Sequence, residues 1–164
     1  MTARPNPSAE GPELTIEPFR PEWAPVFAQL NREWIERLFN LEPADEKLLA
    51  NPHESIIVPG GQIYFARLSS DIVGTAAAVA HGRRRFELAK MAVAPAAQGH
   101  GIGRRLGEAA IAYARSMGAE SVFLETNSRL TNAIHLYEQL GFHHRPSPVG
   151  SEYRRADVYM ELTL

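Results

Sequence analysis

Cysteine is absent from all 164 positions. Disulfides, zinc–thiolate sites, iron–sulfur clusters and cysteine nucleophiles are thereby excluded, and a chain without thiols fits a reducing cytoplasm. An excess of one charge is also missing: 17 Lys+Arg against 19 Asp+Glu leave a formal net charge of −2. Nothing in that balance draws the chain to a nucleic-acid backbone or an anionic membrane. No apolar run reaches the ~18 residues of a membrane helix, and the longest, Ile72–Ala80, is interrupted by Gly74 and Thr75. The opening MTARPNPSAEGPEL has no apolar core, so no signal peptide is expected in it. A soluble, cytoplasmic protein is the expectation.

What is present is a globular composition, 45% hydrophobic and 22% charged, in a chain suited to one domain of ~100–150 residues. Residues 1–13, rich in Pro, Ser, Gly and Glu, read as a frayed tail, and 14–164 as the domain. Leu14–Phe19 has a strand pattern. Trp23, Val26, Phe27, Leu30, Trp34 and Leu38 recur at helical spacing within Pro21–Asn40, and Pro43–Asn51 reads as a short polar helix. Pro59-Gly60-Gly61 marks a turn. Gln62–Leu68, Ile72–His81 and Phe86–Val93 follow as an antiparallel meander with short connections at Ser69-Ser70-Asp71 and Gly82–Arg85. A second helix over Ile102–Met117 ends at Gly118. Ser121–Thr126 is a buried strand, Thr131–Leu140 a helix stopped by Gly141, and Phe142–Arg145 and Val158–Leu164 are the last strands. The order β-α-α-β-β-β-α-β-α-β-β describes an α/β (α+β) layering of helices on a mixed sheet.

The most informative stretch joins the strand ending Met91-Ala92-Val93 to the helix beginning at Ile102, through Gln98-Gly99-His100-Gly101-Ile102-Gly103. A helix N-terminus offers unpaired N–H groups and the positive end of a dipole. Glycines let those amides approach an anion without a Cβ in the way. Arg104 and Arg105 sit in the first turn, where cations oppose the dipole by roughly 0.3–1 kcal/mol each; a phosphate in front of them removes that penalty. The alternative is a glycine-rich turn with ordinary surface arginines. A P-loop is excluded, because Gly103 is followed by Arg-Arg. A dinucleotide fingerprint also fails, because its last glycine falls on Arg104 or Leu106.

These residues resemble the GNAT superfamily of acyl-coenzyme A N-acyltransferases, through its Arg/Gln-x-x-Gly-x-Gly/Ala signature. The strand Glu87–Val93 directly before the loop, the run Ala133-Ile134-His135-Leu136-Tyr137-Glu138-Gln139-Leu140-Gly141-Phe142 after it, and the element order extend the resemblance over roughly residues 14–164. Asn31–Asp45 and Arg155–Leu162 resemble one bacterial branch. The resemblance implies the GNAT fold: a mostly antiparallel sheet of about six to seven strands, flanked by about four helices and splayed between the fourth and fifth strands.

It also implies acetyl-coenzyme A as co-substrate, without a metal. Backbone N–H groups of Gln98, Gly99, His100, Gly101, Gly103 and Arg104 would hold the pyrophosphate. Ala92 and Val93 would pair with the pantetheine arm, and an N–H near Met91 or Val93 would polarise the acyl carbonyl. Tyr137 matches the family tyrosine near the coenzyme's sulfur, as general acid or as a cofactor-positioning residue. Glu87 sits where several members place a general base, directly or through water. The family's asparagine three residues before the helix alanine is Leu130 here, so Asn132, or Asn127, is left to supply that amide. With no cysteine to carry an acyl group, transfer would be direct, to a primary amine of a small molecule or peptide. The alternative is a catalytically silent acyl-coenzyme A sensor on the same fold. A homodimer is the assembly the resemblance implies.

In the family the first two helices and the last strands shape the acceptor end. Here they carry Trp34, Phe39, Glu42, Asp45, Glu46, His53, Tyr153, Arg154 and Tyr159. Glu42, Asp45 and Glu46 would focus a cationic amine, or else serve the dipole of their own helix. The other singled-out residues read as structural. His143-His144 point to opposite sides of a strand, Arg83-Arg84-Arg85 mark a solvated hairpin tip, and Trp23 and Trp34 belong to a helix core.

Overall fold

Strands Leu14–Pro18 (β1), Gln62–Leu68 (β2), Asp71–Ala80 (β3) and Arg85–Val93 (β4) follow one another as antiparallel neighbours. The computed structural model describes residues 13–82, 84–148 and 150–164; all but the last residue of the tail expected over 1–13, and Arg83 of the arginine run, lie outside them. Ser121–Thr126 (β5), His143–His144 (β6) and Val158–Thr163 (β7) complete a seven-stranded sheet in the order β1-β2-β3-β4-β5-β7-β6. Only the β4–β5 contact among these pairings is parallel.

The helices cover both faces. Ile102–Ser116 (α3) packs on β2, β3 and β4. There Leu106, Ala110 and Ala114 join Ala76, Ala78, Phe86, Leu88, Val122, Leu124 and Met160 in the larger core. The small residues of β3 let α3 come close: a Cβ on Gly74 would stand 3.0 Å from the Leu106 side chain. Ala24–Leu38 (α1) and Pro43–Leu49 (α2) lie over the opposite face, where Phe27, Ala28 and Leu49 pack with Ile56, Ile63, Phe65 and Ala77. Thr131–Gln139 (α4) follows β5.

The helix expected from Pro21 is divided. Pro21–Trp23 form a 3₁₀ turn and α1 begins at Ala24, with Pro25 in its first turn, where its missing N–H costs no helical bond. A π-turn at His53–Ile57, for which periodicity gives no sign, leads into the Pro59-Gly60 turn. The strand expected over Phe142–Arg145 shortens to β6.

One irregularity opens the sheet. Thr75 pairs with Ala92, but the next pairing joins Ala77 to Ala89, so Ala76 alone faces both Lys90 and Met91. This is a β-bulge, and Lys90 takes the left-handed φ of 52° there, uncommon for a side-chain-bearing residue. β4 pairs with β5 only from Arg85 to Glu87. Beyond Glu87 the strands diverge, while β5 stays paired with β7 as far as Thr126.

Candidate active site

The divergence leaves a slot of about 240 Å³. Leu88–Val93 of β4 form one wall and Glu125–Asn127 the other. Ala133 and Tyr137 of α4, Trp34 and Leu38 of α1, and Tyr153 and Arg155 from the segment before β7 complete it. On the β4 side, main-chain groups past Glu87 lack a β5 partner, since the parallel pairing ends there.

The slot reaches Gln98, the first residue of the glycine loop. Gly99 and Gly101 have φ of 85° and 72°, and a Cβ on either would meet no protein atom within 4 Å. Glycine is favoured here by backbone conformation and not by packing, since the space in front is open. Arg105 N donates to Gly101 O at 3.2 Å as the first turn closes, which leaves the Ile102, Gly103 and Arg104 amides without intrahelical acceptors. Gly103 is different: its Cβ would stand 3.2 Å from Leu136, so it lets α4 approach α3. Gln98 lines the slot, and its Nε2 donates to Val93 O at 3.1 Å, tying loop to strand. His100 is exposed. Both first-turn arginines have protein partners: Arg104 pairs with Glu108 at 3.0 Å, both side chains 55% exposed, and Arg105 donates to Leu14 O at 3.3 Å. An open cradle of amides, an unpaired strand edge and a narrow slot between them fit an extended coenzyme with phosphates at one end.

At the far end, Tyr137 lies against Phe142 with ring centroids 6.2 Å apart. Its side chain lines the slot, and burial pushes the hydroxyl up to about 12, so it is protonated at neutral pH. Glu87 projects from the face that carries Phe123 and Glu125, because Glu87 and Phe123 are register partners and side chains alternate. Only 13% of the Glu87 side chain is exposed, and it lies 2.9 Å from His81 Nε2. Glu125 was not singled out in the sequence. It accepts from Ser151 Oγ at 2.8 Å, and burial, with the Glu87 charge adding to it, raises its carboxyl above the ordinary value. Its only sequence signal was a carboxylate on a strand otherwise buried.

A second cavity of about 570 Å³ lies on the α2 side of the sheet. Its floor includes Phe123 stacked on Tyr159 at 5.7 Å, with the Arg85 guanidinium 3.8 Å from the Phe123 centroid. Glu87, Glu125 and Tyr153 stand in the walls of both cavities, so the two meet at those residues.

Several expectations are corrected. Glu42, Asp45 and Glu46 do not form an open acidic patch. Asp45 is fully buried, with Lys90 Nζ at 2.5 Å and Arg155 Nη2 at 2.6 Å. Burial pushes its carboxyl up, but the hydrogen bonds from Arg155 and Lys90 and the Lys90 charge outweigh it and hold it at about 2. Glu42 accepts from Arg154 N at 2.7 Å and pairs with Arg155 at 3.1 Å, and Glu46 pairs with Arg32 at 2.9 Å. All three acids are engaged by cations that the linear sequence places far away. Trp34, expected in the core, lines the slot instead, because the C-terminal half of α1 overhangs the splay; Trp23 packs beside the smaller core as expected. Asn132 is exposed at the start of α4 and is not among the slot-lining residues. Asn127 is, and its amide donates to Arg155 O at 2.6 Å.

Residues 17–142 match the model of the acetyltransferase (GNAT) family. The uncharacterized N-acetyltransferase YjgM of Escherichia coli is 47% identical over 58 residues, covering 35% of each chain. Human N-acetylaspartate synthetase is 36% identical over 115 residues, covering 69% of this chain and 36% of that protein. This chain therefore spans well under two thirds of the curated relatives it matches. Among solved structures, a GNAT-family acetyltransferase of Staphylococcus aureus superposes with a TM-score of 0.83 at 16% identity, over 92% of this chain and 99% of that one. The yncA protein of Salmonella typhimurium, solved with acetyl-CoA, superposes with a TM-score of 0.74 at 21% identity, over 92% and 93%. The seven-stranded splayed sheet is thus the fold of those acetyltransferases, and with most of its length matched by the family model the chain belongs to the GNAT acetyltransferase family.

Proposed function

We propose that the protein is an acetyl-coenzyme A-dependent N-acetyltransferase that moves the acetyl group directly to a primary amine. The observation that carries this reading is the meeting of the two cavities at Glu87, Glu125 and Tyr153, one of them reaching Gln98 at the start of the glycine loop. When bound, the coenzyme supplies an activated acetyl thioester. Amides of Gly99, His100, Gly101, Gly103 and Arg104 hold its phosphates against the positive end of α3. The unpaired edge of β4 at Met91, Ala92 and Val93 aligns its extended arm as an added strand would be aligned, and Gln98 fixes the bend between loop and edge.

The chain's titratable groups supply the proton transfers. An amine with a lysine-like pKa near ~10.4 arrives protonated and must lose a proton to attack. Glu87 and Glu125 face the junction, and one of the two accepts it, directly or through water; burial raises the Glu125 carboxyl above its ordinary value, which favours proton acceptance there. Tyr137, protonated at neutral pH, donates its proton to the departing coenzyme thiolate and is reprotonated from solvent. The absence of cysteine removes the thiol route to an acyl-enzyme and favours direct transfer, with donor and acceptor present together.

The second cavity carries Glu54, Glu87, Glu125 and Glu152 against Lys47 and Arg85, which favours a cationic amine as acceptor. Support for a cationic acceptor thus shifts from Glu42, Asp45 and Glu46 to this cavity. The test is acetyl-coenzyme A consumption with a panel of primary amines, read by thiol release and by the mass of the acetylated product. Transfer to cationic amines, with KM for the amine rising as salt is added, is expected. Coenzyme binding without transfer to any amine would replace this reading with that of an acyl-coenzyme A sensor.

A further inference from the structure

Asp45 lines neither cavity at the junction, yet each of its cationic partners does. Lys90, Tyr153 and Arg155 all stand in the donor slot, and Tyr153 stands in the second cavity as well. The Lys90 ammonium reaches Asp45 at 2.5 Å and donates to the Tyr153 hydroxyl at 3.2 Å. Arg155 makes two bonds to the same carboxylate, at 2.6 and 2.7 Å. The Tyr153 ring centroid lies 4.6 Å from Lys90 Nζ and 4.7 Å from Arg155 Cζ, so both cations border the same ring.

This arrangement combines two unfavourable features. Lys90 holds a left-handed backbone at the bulge, a conformation that costs a side-chain-bearing residue on the order of 1–3 kcal/mol. Its side chain and that of Asp45 are only 4% and 0% exposed, and ions taken out of water persist only where pairing is close to complete. The Asp45 carboxylate meets that condition. One oxygen takes Lys90 and Arg155, and the other takes Arg155 and the Glu42 backbone N–H at 2.9 Å. The bulge that opens the donor slot and the segment that walls the acceptor side are therefore joined through one side chain of α2. The segment Gly150–Asp157 has further anchors at Glu42 and Glu125, through Arg154 N and Ser151 Oγ.

Building on the proposed acetyl transfer, we propose that Asp45 is a positioning residue: through Lys90 it sets the β4 bulge, and through Arg155 it sets the Gly150–Asp157 segment, holding the donor and acceptor halves of the site in register. A carboxylate that touches neither substrate controls their relative placement, and displacement of reacting groups by ~1 Å costs transfer about 100-fold.

The test uses the full chain and three substitutions. Asp45→Asn keeps the side-chain volume and removes the charge both cations share. Hydrogen–deuterium exchange should rise ~10-fold or more in Leu88–Val93 and in 150–157, with α3 unchanged. Lys90→Met should loosen only the β4 segment, and Arg155→Met only 150–157, since each leaves Asp45 one cation. In transfer assays with the amine panel, Asp45→Asn should lower kcat ~10–100-fold while KM for acetyl-coenzyme A changes less than ~2-fold, because the glycine loop is untouched. Loosening confined to α2, or spread evenly through the protein, overturns the proposal, as does a wild-type kcat in folded Asp45→Asn. If Asp45→Asn does not fold, the segment selectivity of the two single-cation variants decides. If the wild-type protein acetylates no amine, the function reading fails by itself and the exchange pattern still decides the coupling.

Discussion

Replacing Gly101 separates anion binding from backbone strain, because the fold provides a matched control. Gly101 and Gly118 flank α3 with φ of 72° and 78°, and a Cβ on either meets no protein atom within 4 Å. Alanine at each site therefore incurs the same left-handed penalty, about 1 kcal/mol, and lowers Tm by about 2–4 °C in a domain of this size. Only Gly101 faces the open cradle of α3 amides. A glutamate there places a negative charge near a phosphate. At a separation of about 6 Å and an effective dielectric of about 20–80, the repulsion is about 0.7–3 kcal/mol, or roughly 3- to 100-fold in affinity. The assay is calorimetric titration with coenzyme A at low ionic strength, beside thermal melts. Gly118→Ala should lose stability and keep its affinity, Gly101→Ala should lose both in modest measure, and Gly101→Glu should lose most of the binding in a folded protein. Coenzyme affinity in Gly101→Glu equal to that of Gly118→Ala would refute the assignment of the loop as the phosphate site.

Tyr137→Phe removes only the hydroxyl. Turnover should fall ~10²–10⁴-fold with coenzyme affinity little changed, the scale of general acid catalysis; wild-type turnover with chemistry rate-limiting would leave Tyr137 a packing residue. Glu125→Gln and Glu87→Gln should each reduce transfer, and in the wild type the activity should rise with pH through a carboxyl value above the ordinary range, because the base must be ionised. The low-pH limb should move toward the ordinary range in Glu87→Gln, since the Glu87 charge adds to the elevation at Glu125. Asp45 acts on stability in the opposite sense. Its folded value, about 2 against 3.8, contributes about 2 kcal/mol of stability above pH ~4, lost as pH falls toward 2. Acid unfolding of the wild type should therefore be steeper between those values than that of Asp45→Asn, and parallel acid melts would exclude the contribution.

The amino-acid sequence alone determined most of the elements and marked out the glycine loop for which phosphate binding is proposed. Both follow from relations between near neighbours: apolar residues at helical or alternating spacing, glycines at Gly118 and Gly141 past the helix ends, and Gly99, Gly101 and Gly103 at the start of α3. Glu87 and Tyr137 were legible only through the resemblance to the GNAT family, which matches their positions to the strand before the loop and the helix after it. Tertiary structure alone decided which charges are available. Asp45 meets Lys90 across 45 positions and Arg155 across 110, so an apparent acidic patch became a buried ion cluster. The overhang of α1 past the splay took Trp34 from core to slot. Glu125 became a candidate base only when β5 diverged from β4 and brought it beside Glu87. Charge and periodicity are properties of the chain, whereas desolvation and pairing depend on long-range register, and at Lys90 that register shifts by a bulge.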